Sequence, residues 1–524
     1  MTATLEKTGD EPMTHRQTLE ALSGLLLVLF VAMLSATVVS TALPQIIGAL
    51  DGSQTQYTWV VTATLLAATA TTPVWGKLAD LFDKKLLVQV AIVIFILGSI
   101  VAGFAQTAGQ LIAARAFQGI GVGGLQALVQ VAIAAMIPPR ERGRYNGYLG
   151  GVMALATVGG PLLGGVIVDT DWLGWRWCFF VGVPVALVAL AVLQFTLHLP
   201  TIRRRNVRID YLGAALIAAG VSLLLIWISF VDDTFGWLSW QTFAMVGGSV
   251  VVLAAAVYVE TRATEPVVPL GIVRERTTAL AIVGSLAVGM AMFGGAVFLG
   301  QYFQIGRGYT PTEAGLLTIP MMAGVLVASI VAGRMITRSG RIKPYIVAGS
   351  ITLVVGFALL GTIDHETHMW FVALAMLLVG TGVGMTMQNL VLAVQNTVSL
   401  RDIGAASATV AFFRSLGGAV GVSVLGAVLA RHVKDGISTG LADAGIPVSG
   451  SAGDSLNLNA LPAAVETIVR AAYGDATGHI FLISAAIAVV SVVAALLLRP
   501  VTLRTSLDLP SNMPAPTGTE ERVG

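Results

Sequence analysis

Long apolar runs separated by short polar connections dominate the chain. A helix needs about 20 mostly apolar residues to cross the hydrocarbon core of a bilayer. Fourteen stretches meet that requirement, at 20–43, 57–79, 86–105, 109–137, 145–168, 174–197, 211–230, 240–260, 278–303, 313–336, 343–362, 369–395, 404–430 and 479–498. None shows the apolar/polar alternation, in segments of about 10 residues, that marks a membrane β-barrel. The first run is longer than a signal-peptide core, lacks a small-residue cleavage site and leads straight into further spans, so it reads as a transmembrane helix. The pattern predicts an all-α membrane protein with 14 transmembrane helices.

Orientation follows from the connections, because lysine and arginine concentrate on the cytoplasmic side. With the N-terminus inside, 23 of the 30 Lys and Arg residues fall in inner connections or tails. Five (Arg176, Arg307, Arg431, Lys434 and Arg470) fall outside, and Arg115 and Arg414 lie within spans. Both termini are therefore expected in the cytoplasm.

Composition narrows the function. Charged residues make up 11% of the chain and hydrophobic residues 56%, with a mean hydropathy of +0.84. A soluble domain carries about 25% charged residues, so a disordered protein, a secreted disulfide scaffold and an ordinary cytosolic enzyme are excluded. A net charge of +2 gives no nucleic-acid footprint. The lone Cys178 rules out an intrachain disulfide or a cysteine metal cluster. No P-loop string is present to drive transport by ATP hydrolysis. No mid-span cluster of His, Asp, Glu or Cys offers convergent catalytic groups, so an enzyme is not expected.

Five strings carry chemistry. The connection after the second span reads GKLADLFDKK, Gly76 to Lys85, and a related GRMITRSGRIK, Gly333 to Lys343, follows the tenth span. Both set a glycine at a helix end before a short basic loop, a weak internal repeat of the kind found in transporters. Span 4 carries RAFQGIGVGG, Arg115 to Gly124. A charge inside a span is expensive, so Arg115 should face the bundle interior and find a partner, or else snorkel to the interface. Span 5 carries GGPLLGG, in which Gly160 and Gly164 form a small-x-x-x-small pair beside Gly165, and Pro161 removes a backbone donor. Span 1 ends in LSATVVSTALP, Leu34 to Pro44.

Together these strings resemble the major facilitator superfamily, and within it the fourteen-span drug:proton antiporters (the QacA/EmrB type), over roughly residues 20–500. The resemblance implies a major facilitator fold of two six-helix halves plus two extra central helices. The corresponding plan is a cytoplasmic tail at 1–18, an N-terminal bundle at 19–198, two additional helices with linkers at 199–277, a C-terminal bundle at 278–498 and a disordered tail at 499–524. The C-terminal bundle includes an extracytoplasmic connection at 431–478, in which Ala460 to Tyr473 could form a surface helix. The resemblance further implies a conformational latch at Gly76, Asp80, Lys84 and Lys85, and a motif arginine at Arg115. Two departures stand out. Asp83 occupies the usual second glycine of the latch, and Ser35 stands where relatives carry a membrane aspartate.

With that aspartate absent, the proton-coupling candidates are Glu313, Asp169 and Asp80. Each has a plainer reading: a helix cap for Glu313, an interface anchor or Arg176 partner for Asp169, the latch for Asp80. The superfamily lines its central cavity with the first and fourth helices of each half. Here these supply Ser35 and Thr37 from span 1, and Gln126 and Gln130, spaced i,i+4, from span 4. Span 9 supplies Phe293, Phe298, Gln301 and Tyr302. Span 12 supplies Gln388, Asn389, Gln395 and Asn396, with the pairs 388/395 and 389/396 roughly co-facial. Interhelical hydrogen bonding is the alternative use of such residues. Arg414, mid-span in FFRSLGGAVG, is either a structural partner of helix carbonyls or a functional charge.

The expectation is a monomeric, proton-coupled exporter of a small amphipathic substrate, biased to neutral, zwitterionic or anionic molecules, in a bacterial-type cytoplasmic membrane. No cofactor beyond the coupling proton and no nucleic acid is expected. A dedicated exporter of an endogenous secondary metabolite or lipid, and an uncoupled transporter or importer of the same fold, are the alternatives.

Overall fold

The computed structural model describes residues 15–51, 54–168, 170, 172–197, 210–231, 235–263, 266, 268, 270–398, 402–444, 463–500 and 503. Asp169 and most of the expected tails (1–14, 501–502 and 504–524) lie outside these residues, while 15–18 already belong to the first helix. The described residues form seventeen α-helices. The first half of the chain contributes α1 (His15–Ala49), α2 (Gln54–Leu81), α3 (Lys84–Gly103), α4 (Ala108–Met136), α5 (Pro139–Val168), α6 (Trp177–Phe180) and α7 (Gly182–Thr196). Then come α8 (Tyr211–Phe230), α9 (Trp240–Glu260) and the short α10 (Leu270–Arg274). The second half contributes α11 (Arg276–Gln301), α12 (Pro311–Leu317), α13 (Ile319–Ser339), α14 (Lys343–Leu360), α15 (Met369–Thr397), α16 (Ile403–Asp443) and α17 (Ala463–Leu497). Eleven helical stretches among the described residues are long and apolar enough to cross a membrane, and Leu212–Ile228 is a shorter apolar one.

Helices are the expected answer to the apolar runs, since a bilayer core leaves no water to satisfy exposed backbone groups. Their starts are set by polar caps. Asp83 accepts from the backbone N–H groups of Lys85 (2.8 Å) and Leu86 (3.3 Å) to open α3. This explains the departure at Asp83: the position serves as an N-cap, for which aspartate is among the best residues. Glu275 caps α11 through Thr278, and Ser239 caps α9 through Thr242. Gly340 ends α13 in the left-handed region (φ 68°), which a side chain would strain.

The two halves repeat one packing scheme. In the first, α1 packs on α5 and α7, while α2 and α3 pack on α4. In the second, α11 packs on α16 and α17, while α13 and α14 pack on α15. The halves meet along two seams, α2 against α16 and α5 against α13. The start of α1, the end of α17 and the Lys/Arg-rich connections share one end of the bundle, here the basic end. Lys343 Nζ and Arg276 Nη2 donate there to the carbonyls of Leu496 and Leu497.

Three details differ from the expected spans. Span 6 is divided at Val181 into α6 and α7, and span 10 at Thr318 into α12 and α13. Span 9 ends in a π turn, Tyr302–Gly306. The expected outer connection 431–478 is largely helix: α16 runs on to Asp443 and α17 begins at Ala463, so Ala463–Tyr473 is the first part of a long helix rather than a separate surface one. Val433, Ile437 and Leu441 recur every four residues and pack on Val465, Val469, Ala472 and Ala476. This two-helix projection is zipped by its own apolar stripe.

The two additional helices have a defined place. Ile217, Val221 and Leu225 of α8 and Ala256 of α9 form a buried cluster with Phe412 of α16, and Leu66 of α2 packs on it. The pair therefore covers the α2–α16 seam from outside.

Candidate functional site

The basic end is closed by contacts that cross between the halves. Gly76 of α2 faces Gly404 and Ala408 of α16 so closely that a Cβ would collide with both. That approach delivers Asp80, one turn on, to the start of α16. Its two carboxylate oxygens accept from the backbone N–H groups of Gly404 and Ala405, each at 2.8 Å. A carboxylate satisfies a helix N-terminus both by hydrogen bonding and by charge. Lys84 lies within electrostatic reach of Asp80 and Asp83, and Lys85 Nζ donates to the Gln194 carbonyl at 2.6 Å. Gln194 belongs to α7, so that basic latch residue ties helices of its own half together.

The second crossing uses Arg142, one of three arginines in the short connection after span 4. It sits in the first turn of α5, where the helix dipole disfavours a cation. Its side chain, 2% exposed, folds back onto the end of α4, where a cation is favoured. Nε donates to the Ile137 carbonyl (2.7 Å) and Nη2 to that of Ala134 (2.5 Å). Nη1 reaches across to Gln395 Oε1 of α15 (3.1 Å), and Gln395 Nε2 donates to Ser407 Oγ of α16 (2.9 Å). An arginine in the first turn of a helix, just after two prolines, was the signal available for this bridge.

Directly behind the bridge lies a small cavity of about 10 Å3, room for roughly one water. It is lined by Gln130 of α4, Leu149 of α5 and Gln388, Val391 and Gln395 of α15, among others. Gln130 Oε1 has no hydrogen-bond partner among the described residues. Three of the expected cavity residues, Gln130, Gln388 and Gln395, are thus brought together between the two halves.

The remaining candidates are placed elsewhere. Arg115 is 3% exposed and donates from Nη1 to Gln118 Oε1 at 2.6 Å, with a longer contact from Nε to the Val60 carbonyl at 3.5 Å. Gln118 Nε2 in turn donates to Ser99 Oγ (2.7 Å) and Ser35 Oγ (3.3 Å). Arg115 is therefore held by neutral groups, with Ser35 at the edge of the network. Thr37 Oγ1 donates to the Ala156 carbonyl of α5 (3.0 Å), and Gly160 packs directly on Thr37, so this part of the glycine string joins α5 to α1. Gly164 is buried and Gly165 half-buried on the same helix, while the Pro161 side chain lies outside the described residues.

Gln126 is half-buried. Asn389 is 3% exposed and donates to the Met385 carbonyl of its own helix (2.7 Å); Asn396 is also buried. Of the span 9 candidates, Phe293 packs against Gly418 and Phe298 joins the apolar core of the α16–α17 projection. Tyr302 is fully buried and donates to the Asp364 carbonyl (2.9 Å), whereas Gln301 is exposed. These residues do not line the Gln130 cavity. Glu313 is exposed and closes a capping box with Thr310: Glu313 Oε2 accepts from the Thr310 N–H (2.8 Å), and Thr310 Oγ1 accepts from the Glu313 N–H (3.3 Å). No group of three or more His, Cys, Asp or Glu among the described residues could hold a metal ion.

Comparison with known proteins settles the family. The family model described as Major Facilitator Superfamily matches residues 25–422. The chain belongs to the major facilitator superfamily. A Mycobacterium tuberculosis protein described as an uncharacterized MFS-type transporter is 35% identical over 474 residues, covering 90% of this chain and 68% of the relative. The multidrug transporter protein MdtP of Bacillus subtilis is 32% identical, covering 81% of this chain and 77% of its own. The efflux pump dotC of Dothistroma septosporum is 32% identical, covering 93% and 84%. Among solved structures, the MFS proton:xylose symporter XylE matches with a TM-score of 0.60 at 15% identity, covering 93% of this chain and 97% of that one. At that identity the match speaks for the fold alone. The superfamily and these neighbours are transporters rather than enzymes, and the all-helical, multi-pass architecture is that of a major facilitator.

Proposed function

We propose that this major facilitator is a proton-coupled efflux transporter that moves lipophilic drugs or antibiotics across a bacterial-type cytoplasmic membrane by alternating access. The observation that carries the reading is the pair of crossings at the basic end, Asp80 to α16 and Arg142 to Gln395, set directly beneath a polar cavity shared by both halves. Breaking those contacts and rocking the halves would expose the cavity to the basic side. The names of the MdtP and dotC relatives support export rather than uptake.

In this reading the protein is a fourteen-helix transporter of the QacA/EmrB type, with α2, α5 and α8 completing the eleven spans, and both termini are cytoplasmic. It acts as a monomer with no cofactor other than the proton. Its two mid-span arginines, Arg115 and Arg414, favour neutral, zwitterionic or anionic amphiphiles over lipophilic dications. Asp80 is the leading coupling candidate, since it is buried between the halves, whereas Glu313 is an exposed cap; Asp169 is the third.

The test is transport in proteoliposomes containing a pH-sensitive dye under an imposed proton gradient, with the intact protein beside Asp80→Asn, Glu313→Gln and Asp169→Asn. Drug-dependent proton movement, lost in one variant, is the expected result. Drug movement without proton flux in the intact protein would refute coupling.

A further inference from the structure

The two arginines within the spans are held very differently. Arg115 spends its guanidinium on Gln118 and the Val60 carbonyl. Arg414 is 6% exposed, and its Nη1 has no hydrogen-bond partner among the described residues. The ion pairs among those residues involve other side chains. A buried mid-span charge is costly, faces the bundle interior or a cavity, and is by default a functional-site candidate.

The helix register sets this charge level with the cavity between the halves, although Arg414 is not among the residues that line it. Ser407 of α16 holds Gln395 of α15 at 2.9 Å. Seven residues further along α16, and so on the same face, stands Arg414. Seven residues back along the antiparallel α15, on the face of Gln395, stands Gln388. Both steps rise two turns, about 10 Å, away from the basic end. Arg414 therefore stands at the height of Gln388, which lines the cavity together with the unpartnered Gln130. The arginine is fixed there by its backbone. Gly289 of α11 abuts the Arg414 carbonyl, and Gly417 and Gly421 of α16 abut Leu286 and Met290 of α11. Ser285, one turn from Gly289 on the same face of α11, also has a buried Oγ without a partner among the described residues.

We infer that Arg414 is the anion-recognition residue of this transporter, binding the carboxylate of an amphipathic substrate whose apolar body lies between the halves. A guanidinium presents two parallel N–H donors to a carboxylate and keeps its charge throughout a transport cycle. Gln388 and Gln130 supply amide groups to neighbouring oxygens. This substrate class rests on the exporter reading above.

The test uses one apolar body with and without the charge: fusidate and its methyl ester, binding to the full chain in lipid nanodiscs with no gradient. The intact protein is expected to bind the acid on the order of tenfold tighter than the ester. Arg414→Gln is expected to bind both alike, with ester affinity unchanged. Arg414→Lys, a point charge without the fork, is expected to keep only part of the preference, and it decides the matter if the glutamine variant fails to fold. Equal binding of acid and ester by the intact protein, including binding of neither, overturns the inference. So does a preference that survives intact in both variants. Export driven by an imposed proton gradient is measured separately on the same pair. Preferential acid binding without driven export counts against the exporter reading alone, and driven export of acid and ester at equal rates counts against Arg414 alone.

Discussion

Asp80→Asn should release the basic end, and the structure sets the scale. The native carboxylate gives one oxygen to each of two backbone N–H groups at 2.8 Å, at the start of a 41-residue helix. Asparagine keeps one acceptor and turns a donor toward the other N–H. The loss is at least one charge-assisted hydrogen bond, worth about 2 kcal/mol, together with a charge at a helix N-terminus, worth about 0.5 kcal/mol. The sum of about 2.5 kcal/mol corresponds to roughly a 60-fold shift toward the state open at this end. Alkylation of a buried reporter reads this directly. Cys178 is the single cysteine and is buried, so Cys178→Ser gives a clean background. Ala406→Cys places a thiol at a position 1% exposed, next to the Asp80 contact and outside the Arg142–Gln395–Ser407 chain. The N-ethylmaleimide labelling rate tracks the open population and should rise on the order of tens of fold when Asp80→Asn is added. A rate within about twofold of the parent, in a variant with an unchanged melting temperature, would refute the role of Asp80 in holding the halves together.

Other expectations follow from the same geometry. Arg142→Gln should also speed labelling at the basic end, and pairing it with Gln395→Leu should add little, because the two side chains share one bridge; a double-mutant cycle checks this. Gly160→Val should cripple folding or transport by driving α5 off Thr37, whereas Gly48→Val, at a position with no atom within 4 Å of its would-be Cβ, should be far milder in expression and thermal melts. Ser35→Asp should set a carboxylate beside the Arg115–Gln118 network and move substrate preference toward cations, scored as ethidium export. In the connection between α14 and α15, the Thr367 hydroxyl holds the Asp364 carboxyl below its ordinary 3.8. Its ionised form is therefore favoured by folding, so this stabilisation is present above the ordinary value and fades as pH falls through the lowered one. Melts of Asp364→Asn and the intact protein should converge as pH falls through and below about 4.

The helices were legible because a bilayer demands long apolar runs, and α3, α9 and α14 start and stop within about two residues of the expected spans. The α16–α17 projection was not, since Gly, Ser and Asp dilute residues 431–443 enough to suggest a loop; only the four-residue recurrence of Val433, Ile437 and Leu441 betrays a helix. The contact of Gly76 with α16 could be anticipated from its motif, but Arg142 could not be distinguished by charge counting from its neighbours in the same connection. Span 9 misled for a related reason. Phe298 and Tyr302 are suitable for lining a cavity, yet both are spent on packing, and sequence alone does not say which face of a helix meets a neighbour.

A hydrophobic molecule diffusing in the bilayer meets two unequal flanks. On one, α8 and α9 shutter the joint between α2 and α16, with Phe412 sealed beneath them. On the other, Gly147, Gly150 and Gly151 of α5 face Ile330, Ser329 and Leu326 of α13, and neither added helix belongs to that joint. On the proposed exporter reading, cargo entering from the lipid is expected at the joint the added helices leave uncovered. Bulky substitutions along α13 at 326–330 should slow uptake of membrane-dissolved cargo, and equivalent changes on the lipid face of α9 should leave it untouched.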